Sequence, residues 1–407
     1  MTPAVRILNV ANRYPPWSMG GYEVVSSAAV QALSAAGHNT RVLTTVPDPS
    51  DRAPAGRPPP DVHRELRWYW RDGDFPPVGP AGTARLERHN AAVLRSHLSE
   101  FEPDVVVWWG LGGLSLSLVE QVHRAGLPSL GLVGDEWMLY GPQVDAWTRR
   151  WHGRRGARLA ELLVGVPARL DLDAGARWLF NSRQLLASAR EAGWSLAGAE
   201  VAPPGVDPSL FVPRNPQSWQ WRLLYCGRPD PRKGVATAIE ALPHLPPEAT
   251  LVIHGDGDRA FLKRLRKLAL GLGVGERVRF QHSDHELVPD VYAQADAVVF
   301  PATWREPWGM VPLEAMAIGR PVVASRAGGG PSEYLEDGRN CLQFTAGDAV
   351  QLAGALQRLA SSPRLRSELV AAGHATAARF TQGEFHARIL DELERLTERR
   401  GNHRGRV

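Results

Sequence analysis

Along the chain, short apolar runs alternate with longer stretches whose apolar positions recur every three or four residues. In the first half, Arg6–Val10, Arg41–Thr45, Asp104–Trp109, Leu130–Val133 and Trp178–Phe180 have strand length, while Gly21–Ala36 (stopped by Gly37) and Arg85–Phe101 carry helical spacing. The rhythm resumes with Arg222–Cys226, Leu251–His254, Val278–Phe280, Ala297–Phe300 and Pro321–Ala324, with helical Val235–Leu242 and Asp258–Leu272 among them. Apolar runs without in–out alternation mark strands buried on both faces. The pattern therefore predicts an α/β fold with two parallel sheets, each covered by helices. Asp48–Pro60, rich in Pro, Gly and Arg, reads as a mobile loop; Gly383–Leu396 has amphipathic helical spacing, and the Arg-rich tail from Thr397 reads as frayed.

The chemistry concentrates where strands end. After the apolar Val298–Phe300 comes Glu306-Pro-Trp-Gly-Met-Val-Pro-Leu-Glu314, then a helical stretch stopped by Gly319 and Pro321. Pro312 fits only in the first helical turn, which leaves the N–H groups near Gly309, Met310 and Val311 facing outward. A strand, a loop and a helix N-terminus is where an α/β protein holds a phosphate. Glu306 lies before that helix and Glu314 about a turn inside it, so one reaches beyond the phosphate and the other behind it. By themselves the two acids also fit a capped helix with solvated carboxylates. Arg228 and Lys233 stand five apart across a Pro-containing turn after Arg222–Cys226, where they can converge on one dianion or form a solvated basic turn. In the first half, Gly20-Gly21-Tyr22-Glu23 follows the first strand. Gly21 lets the backbone approach a phosphate, and Glu23 either touches a ligand or complements the helix dipole.

These residues resemble the retaining glycosyltransferases of the GT-B type, family 4 (glycosyl transferases group 1). That family's pattern is Glu, seven residues, Glu, then a Gly-x-Pro-Val-Val strand, here Gly319-Arg-Pro-Val-Val-Ala324. The Gly227-Arg228…Lys233-Gly234 pair and the Ala202-Pro-Pro-Gly-Val-Asp207 linker match it too, with Pro204 where Asn is frequent. The resemblance implies two Rossmann-like domains facing a cleft, 1–202 and 203–382, with a helix at about 383–400 crossing back to the first. It implies transfer of a sugar from a nucleoside-diphosphate sugar to an acceptor hydroxyl. Arg228 and Lys233 would neutralise the leaving diphosphate, Glu306 would bind sugar hydroxyls, Glu314 the ribose, and Gly21, Gly309, Met310 and Val311 the donor. Where the family commonly has a histidine, this chain has Asp135, which either orients the sugar or acceptor, as Glu23 would, or marks a changed acceptor or weakened catalysis. Glu333, in Gly328-Gly-Gly-Pro-Ser-Glu333, is either near the donor or a helix-start acid, and His282 is read as a surface histidine. The rival readings are a nucleotide-sugar epimerase or hydrolase of the same fold and a non-catalytic nucleotide-sugar binder.

Composition removes other classes. The 407 residues carry two cysteines with no metal-ligand spacing, read as buried free thiols. Asp171-Leu-Asp173 and Asp256-Gly-Asp258 spell a metal-binding pair used in a different glycosyltransferase fold. Arg228 and Lys233 already supply the charge, so no metal or cofactor is expected. Met1–Val5 lacks a signal-peptide apolar region and no run has membrane-span length, which predicts a cytoplasmic protein. The net charge of +4 comes almost wholly from arginine, with three lysines in all (Lys233, Lys263 and Lys267), and no nucleic-acid module is present. Arg64–Arg71 and Trp147–Arg158 mix tryptophan with arginine; core tryptophans and surface arginines are expected there rather than peripheral membrane contact.

Overall fold

Buried valines and leucines make the central strands of two parallel sheets. The computed structural model describes residues 4–17, 20–48, 61–71, 73–215 and 217–404, with side chains to 398. The chain divides into unit 1, residues 1–202 and 386–407, and unit 2, residues 203–385. Among the described residues no helix is long and apolar enough to cross a membrane.

Unit 1 runs β1 (Arg6–Ala11), α1 (Gly21–Ala35), β2 (Asn39–Thr45), β3 (Val62–Leu66), α2 (Pro80–Phe101), β4 (Val105–Trp108), α3 (Ser117–Arg124) and β5 (Ser129–Val133). It continues through four short helices, α4 (Trp137–Val144), α5 (Ala146–Trp151), α6 (Ala157–Val164) and α7 (Leu172–Gly175), to β6 (Arg177–Phe180), α8 (Arg183–Glu191) and β7 (Glu200–Val201). The sheet order is β3-β2-β1-β4-β5-β6-β7, parallel throughout. Strand order therefore reverses between β1 and β4, and at such a reversal the loops leaving the two strands diverge and open a crevice. Val105–Trp108 is wholly buried, as strands covered on both faces must be.

Unit 2 runs β8 (Arg222–Cys226), α9 (Val235–Ala241), β9 (Thr250–His254), α10 (Arg259–Gly271), β10 (Val278–Gln281), α11 (Val288–Ala293), β11 (Ala297–Phe300), α12 (Met310–Ile318), β12 (Val322–Ser325), β13 (Leu342–Phe344), α13 (Ala349–Ser361) and α14 (Pro363–Ala377). The order β10-β9-β8-β11-β12-β13 repeats the plan, and the reversal lies between β8 and β11, where Ala297 pairs with Leu223 and Val298 with Leu224. Apolar clusters cover the sheet on both faces, one around Val235, Ile239 and Leu352, the other around Leu313, Met316 and Ile318.

The last helix, α15 (Gln382–Arg404), starts in unit 2 and from His386 belongs to unit 1. There the buried Glu392 accepts from Arg177 at 3.1 Å and Arg395 at 2.8 Å and pairs with Arg388 at 3.1 Å. Burial alone raises a carboxyl's pKa, but the bonds from Arg388 and Arg177 outweigh it and hold Glu392 below the usual range.

Three sequence expectations differ from the structure, and a fourth lies largely outside it. Thr397 begins no frayed tail, because α15 runs on to Arg404. Helix α2 starts at Pro80 rather than Arg85, with proline in the first turn where its missing N–H is harmless. Strand β3 and helices α4–α7 fall in segments whose arginines and prolines hide the period. The loop expected at Asp48–Pro60 lies, beyond Asp48, outside the described residues.

Candidate functional site

In unit 2 both motif loops leave the strands that flank the reversal. After β8 the chain passes Gly227 into a 3-10 turn at Pro231–Lys233, capped by the Asp230 side chain, which accepts from Arg232 N at 2.9 Å. This turn is fastened to the loop after β11. Arg232 O accepts from Thr303 N at 2.8 Å and from Thr303 Oγ1 at 3.1 Å. Gly234 has φ +68, and a Cβ there would overlap Pro301 O. The backbone-to-backbone fit delivers Lys233 to the second motif: its Nζ forms an ion pair with Glu306 Oε1. The Glu306 side chain is nearly buried, and the Arg232 guanidinium and Lys233 Nζ lie 4.4 and 5.3 Å from the centre of the Trp304 ring. Arg228 is exposed. Burial pushes the Asp230 carboxyl up, but bonds from Arg232 and the charges of Arg232 and Arg228 hold it low.

The Glu306 loop is braced from three sides. Its backbone pairs with Gly329, and Glu306 O accepts from Gly330 N at 2.7 Å. The Trp308 indole N–H donates to Pro204 O at 2.8 Å, with its ring 5.1 Å from those of Tyr334 and Phe380. The Tyr334 hydroxyl donates to Gly309 O. Helix α12 then opens at Met310, with Pro312 in its first turn and Gly309 at positive φ before it. The first-turn N–H groups have no partner within the helix, so its N-terminus offers an anion both donors and a favourable dipole. One turn on, Glu314 accepts from the Tyr292 hydroxyl at 2.6 Å. Burial raises its pKa, while Tyr292 and the His285 charge pull it down.

The remaining candidates in unit 2 make local contacts. Asp258 caps α10, accepting from Phe261 N at 2.7 Å, and Asp256 accepts from Gly257 N at 2.9 Å. His282 stacks on His254 with ring centres 6.3 Å apart. Glu333 closes the short turn Gly330–Glu333. Burial first, then Glu314, pushes the Cys226 thiol up to about 12, so it is un-ionised and inert.

In unit 1, Gly20 and Gly21 open α1, and Glu23 reaches back so that its Oε2 accepts from Gly20 N at 3.0 Å. The neighbouring Tyr22 hydroxyl donates to Leu132 O at 2.6 Å, tying α1 to the end of β5. Asp135 follows that strand. Its Oδ2 accepts from the Tyr140 hydroxyl at 2.8 Å, and its enclosed Oδ1 has no hydrogen-bond partner among the described residues. Burial pushes Asp135 up to about 6, against the bonds from Tyr140 and Trp137, with Glu23 and Glu136 adding repulsion. Asp171 and Asp173 are structural: the first caps α7, and the second accepts from Leu196 N at 2.7 Å.

The Asp135 environment gives a pH prediction. A carboxyl raised from 3.8 to about 6 favours the folded state when protonated. That stability is fully present below the unfolded pKa and is lost as pH rises through about 6. Asp135→Asn should therefore stabilise unit 1 by about 2 kcal/mol at pH ~8 and leave it unchanged below pH ~4. Unfolding midpoints of both proteins across pH check this; equal midpoints at high pH would show the carboxylate well solvated or paired.

Unit 2 thus pairs Lys233 with Glu306 just ahead of the start of α12, with Glu314 a turn inside that helix and Arg228 exposed on the loop after β8, while Gly21, Glu23 and Asp135 lie in unit 1. Sequence reasoning missed Tyr292, which orients Glu314, Tyr140, which orients Asp135, and Trp304. Trp308 lies inside the motif, but its bracing role became legible only through partners 104 positions earlier and, at Tyr334 and Phe380, well downstream.

Residues 210–376 match the family described as Glycosyl transferases group 1. The chain is 28% identical over 398 residues to glycogen synthase of Mycobacterium tuberculosis, spanning 88% of this chain and 87% of that one. Among solved structures it is similar to sucrose-phosphate synthase from Thermosynechococcus elongatus, with TM-score 0.72 and 23% identity, covering 96% of this chain and 99% of the other. It is also similar to Anabaena Alr3699/HepE in complex with UDP and glucose, with TM-score 0.71 and 21% identity, covering 96% and 100%.

Proposed function

We propose that the chain, which matches Glycosyl transferases group 1 over residues 210–376 and shares the fold of sucrose-phosphate synthase, moves a sugar from a nucleoside-diphosphate sugar to an acceptor hydroxyl with retention of configuration, as in family 4. The observation that carries this reading is the Lys233–Glu306 pair beside the N-terminus of α12, at the reversal between β8 and β11. The diphosphate sits on the α12 N-terminus near Gly309, Met310 and Val311, and Arg228 and Lys233 take up the charge that grows on it as the C1–O bond breaks. Glu306 holds sugar hydroxyls, and Glu314 accepts from the ribose. The bonding pair leaves with the phosphate oxygen, the acceptor oxygen bonds to C1, and the acceptor proton passes to that phosphate oxygen. Such a route needs positioning rather than a strong base. With two cations on the leaving group, the reaction runs without a metal ion. Gly21 is assigned to binding the donor, and Glu23 and Asp135 to contacts with the acceptor or sugar.

The test is thermal stability with UDP, GDP, ADP and TDP in the presence of EDTA, for the protein and for Arg228→Ala/Lys233→Ala. UDP is the first to try, given the UDP-bound Anabaena protein. At a hundredfold excess over Kd, binding stabilises by about 2.7 kcal/mol. A shift with one nucleotide that vanishes in the variant is the expected result. A shift of equal size in the variant would remove Arg228 and Lys233 from the diphosphate, and a shift abolished by EDTA would bring in a metal. The matching donor must then deliver its sugar to an acceptor in the same anomeric configuration; release of free sugar alone would favour hydrolysis.

A further inference from the structure

Helix α6 faces the wrong way for a helix of a monomer in water. Its small residues Ala157 and Ala160 are buried against Ala91 and Trp147, while Leu159, Leu162 and Leu163, at i, i+3 and i+4, are 61%, 81% and 66% exposed. The orientation is fixed rather than loose. The Arg88 guanidinium donates to Leu163 O at 2.7 Å and Val164 O at 3.1 Å, and Glu161 pairs with Arg124. Three leucines on one stripe make an apolar patch that single scattered residues do not.

Beside the patch is a dense positive charge. Arg149, Arg150, Arg154, Arg155 and Arg158 are all exposed, and no carboxylate among the described residues pairs with any of them. Between Ala146 and Leu163 the single acid is Glu161, already held by Arg124 and by Ala168 N. Arg149, Arg150 and Arg154 also line an open groove with Val78, Pro80 and Thr83. Leucines flanked by unpaired arginines have the chemistry of a helix lying in a lipid interface, its apolar stripe at the acyl boundary and its cations on phosphates. A second copy of the chain fits this face poorly, because a two-fold interface would set one arginine cluster against its twin.

We propose that the α5–α6 face of unit 1 docks on the surface of an anionic lipid bilayer, with Leu159, Leu162 and Leu163 entering the interface and Arg149 to Arg158 binding headgroup phosphates. This reading of the arginine-tryptophan stretch reverses the sequence expectation. Trp147 is indeed core, but the leucines that follow are not.

The experiment is co-sedimentation of the full chain with vesicles of phosphatidylglycerol and phosphatidylcholine in equal parts, and with phosphatidylcholine alone. The protein should bind the anionic vesicles at ~0.05 M salt, release at ~0.5 M, and ignore the neutral ones. Leu159→Ser/Leu162→Ser/Leu163→Ser and Arg154→Gln/Arg155→Gln/Arg158→Gln should each weaken binding at least about tenfold. Hydrogen exchange on the unaltered protein gives a reading that does not depend on the variants folding: amides of 146–164 should slow on anionic vesicles. Absence of binding at low salt, equal binding to neutral vesicles, or binding that both variants retain would overturn the proposal. So would a wild-type dimer that the leucine variant dissociates, which would make this face an interface between copies. Donor-nucleotide binding in unit 2 is measured separately and is unaffected by either outcome.

Discussion

Replacing Lys233 by alanine is expected to lower kcat by about a thousandfold, the loss typical of removing one preorganised donor from a developing anion. The charge on the diphosphate grows as the glycosidic bond breaks, so Lys233 acts mainly in the transition state and KM for the donor should rise much less than kcat falls. Lys233→Arg should recover little, because a planar fork does not replace a point charge held by one turn. The variant also strips the nearly buried Glu306 of its counter-charge. Pairing it with Glu306→Gln separates that electrostatic cost from the catalytic one, since the double variant restores stability but not turnover. Steady-state kinetics with thermal midpoints beside them decide the matter. A Lys233→Ala enzyme within tenfold of the unaltered rate would place leaving-group stabilisation elsewhere. Glu306→Gln alone should also lose activity, through sugar positioning; a covalent sugar trapped on Glu306 would instead make it a nucleophile.

Gly234→Ala should be nearly as damaging for a different reason. At φ +68 any side chain is strained, and here the new Cβ would also meet the backbone oxygen of Pro301. Strain and backbone displacement together should destabilise unit 2 by about 3 kcal/mol, lowering its thermal midpoint by roughly 6–12 °C. The same displacement pulls the Lys233 turn off Thr303, so turnover should fall even at temperatures where the variant is folded. A stable, active Gly234→Ala enzyme would show that the turn and the β11 loop are not mechanically joined.

Much of this architecture was legible because its cause is local. Strands covered on both faces must be apolar throughout, so β1, β4, β5, β8 and β11 stand out as runs. Each loop that leaves the reversal needs glycine for close approach and a charged residue for chemistry, so Gly227 to Gly234 and Glu306 to Glu314 announce themselves. What escaped was decided at long range. Nothing near Tyr292 marks it as the donor to Glu314, and Tyr334 and Phe380 brace Trp308 from distant loops. The outward leucines of α6 show the limit of periodicity: it finds a stripe, but which face turns inward depends on Ala157 and Ala160 fitting closely against Ala91 and Trp147.

The path of α15 has a consequence for how the protein is made. Unit 1 begins the chain, yet its sheet receives Glu392, the partner of Arg177, only after residues 203–385 have been added. At ribosomal speeds those 183 residues take about 10–40 s. Unit 2 thus has all its elements before unit 1 does, and during synthesis the second half of the chain can reach its native form first. Over that interval the edge of the unit 1 sheet at β6 and β7 waits, with Arg177 lacking its buried carboxylate, for the last helix to emerge.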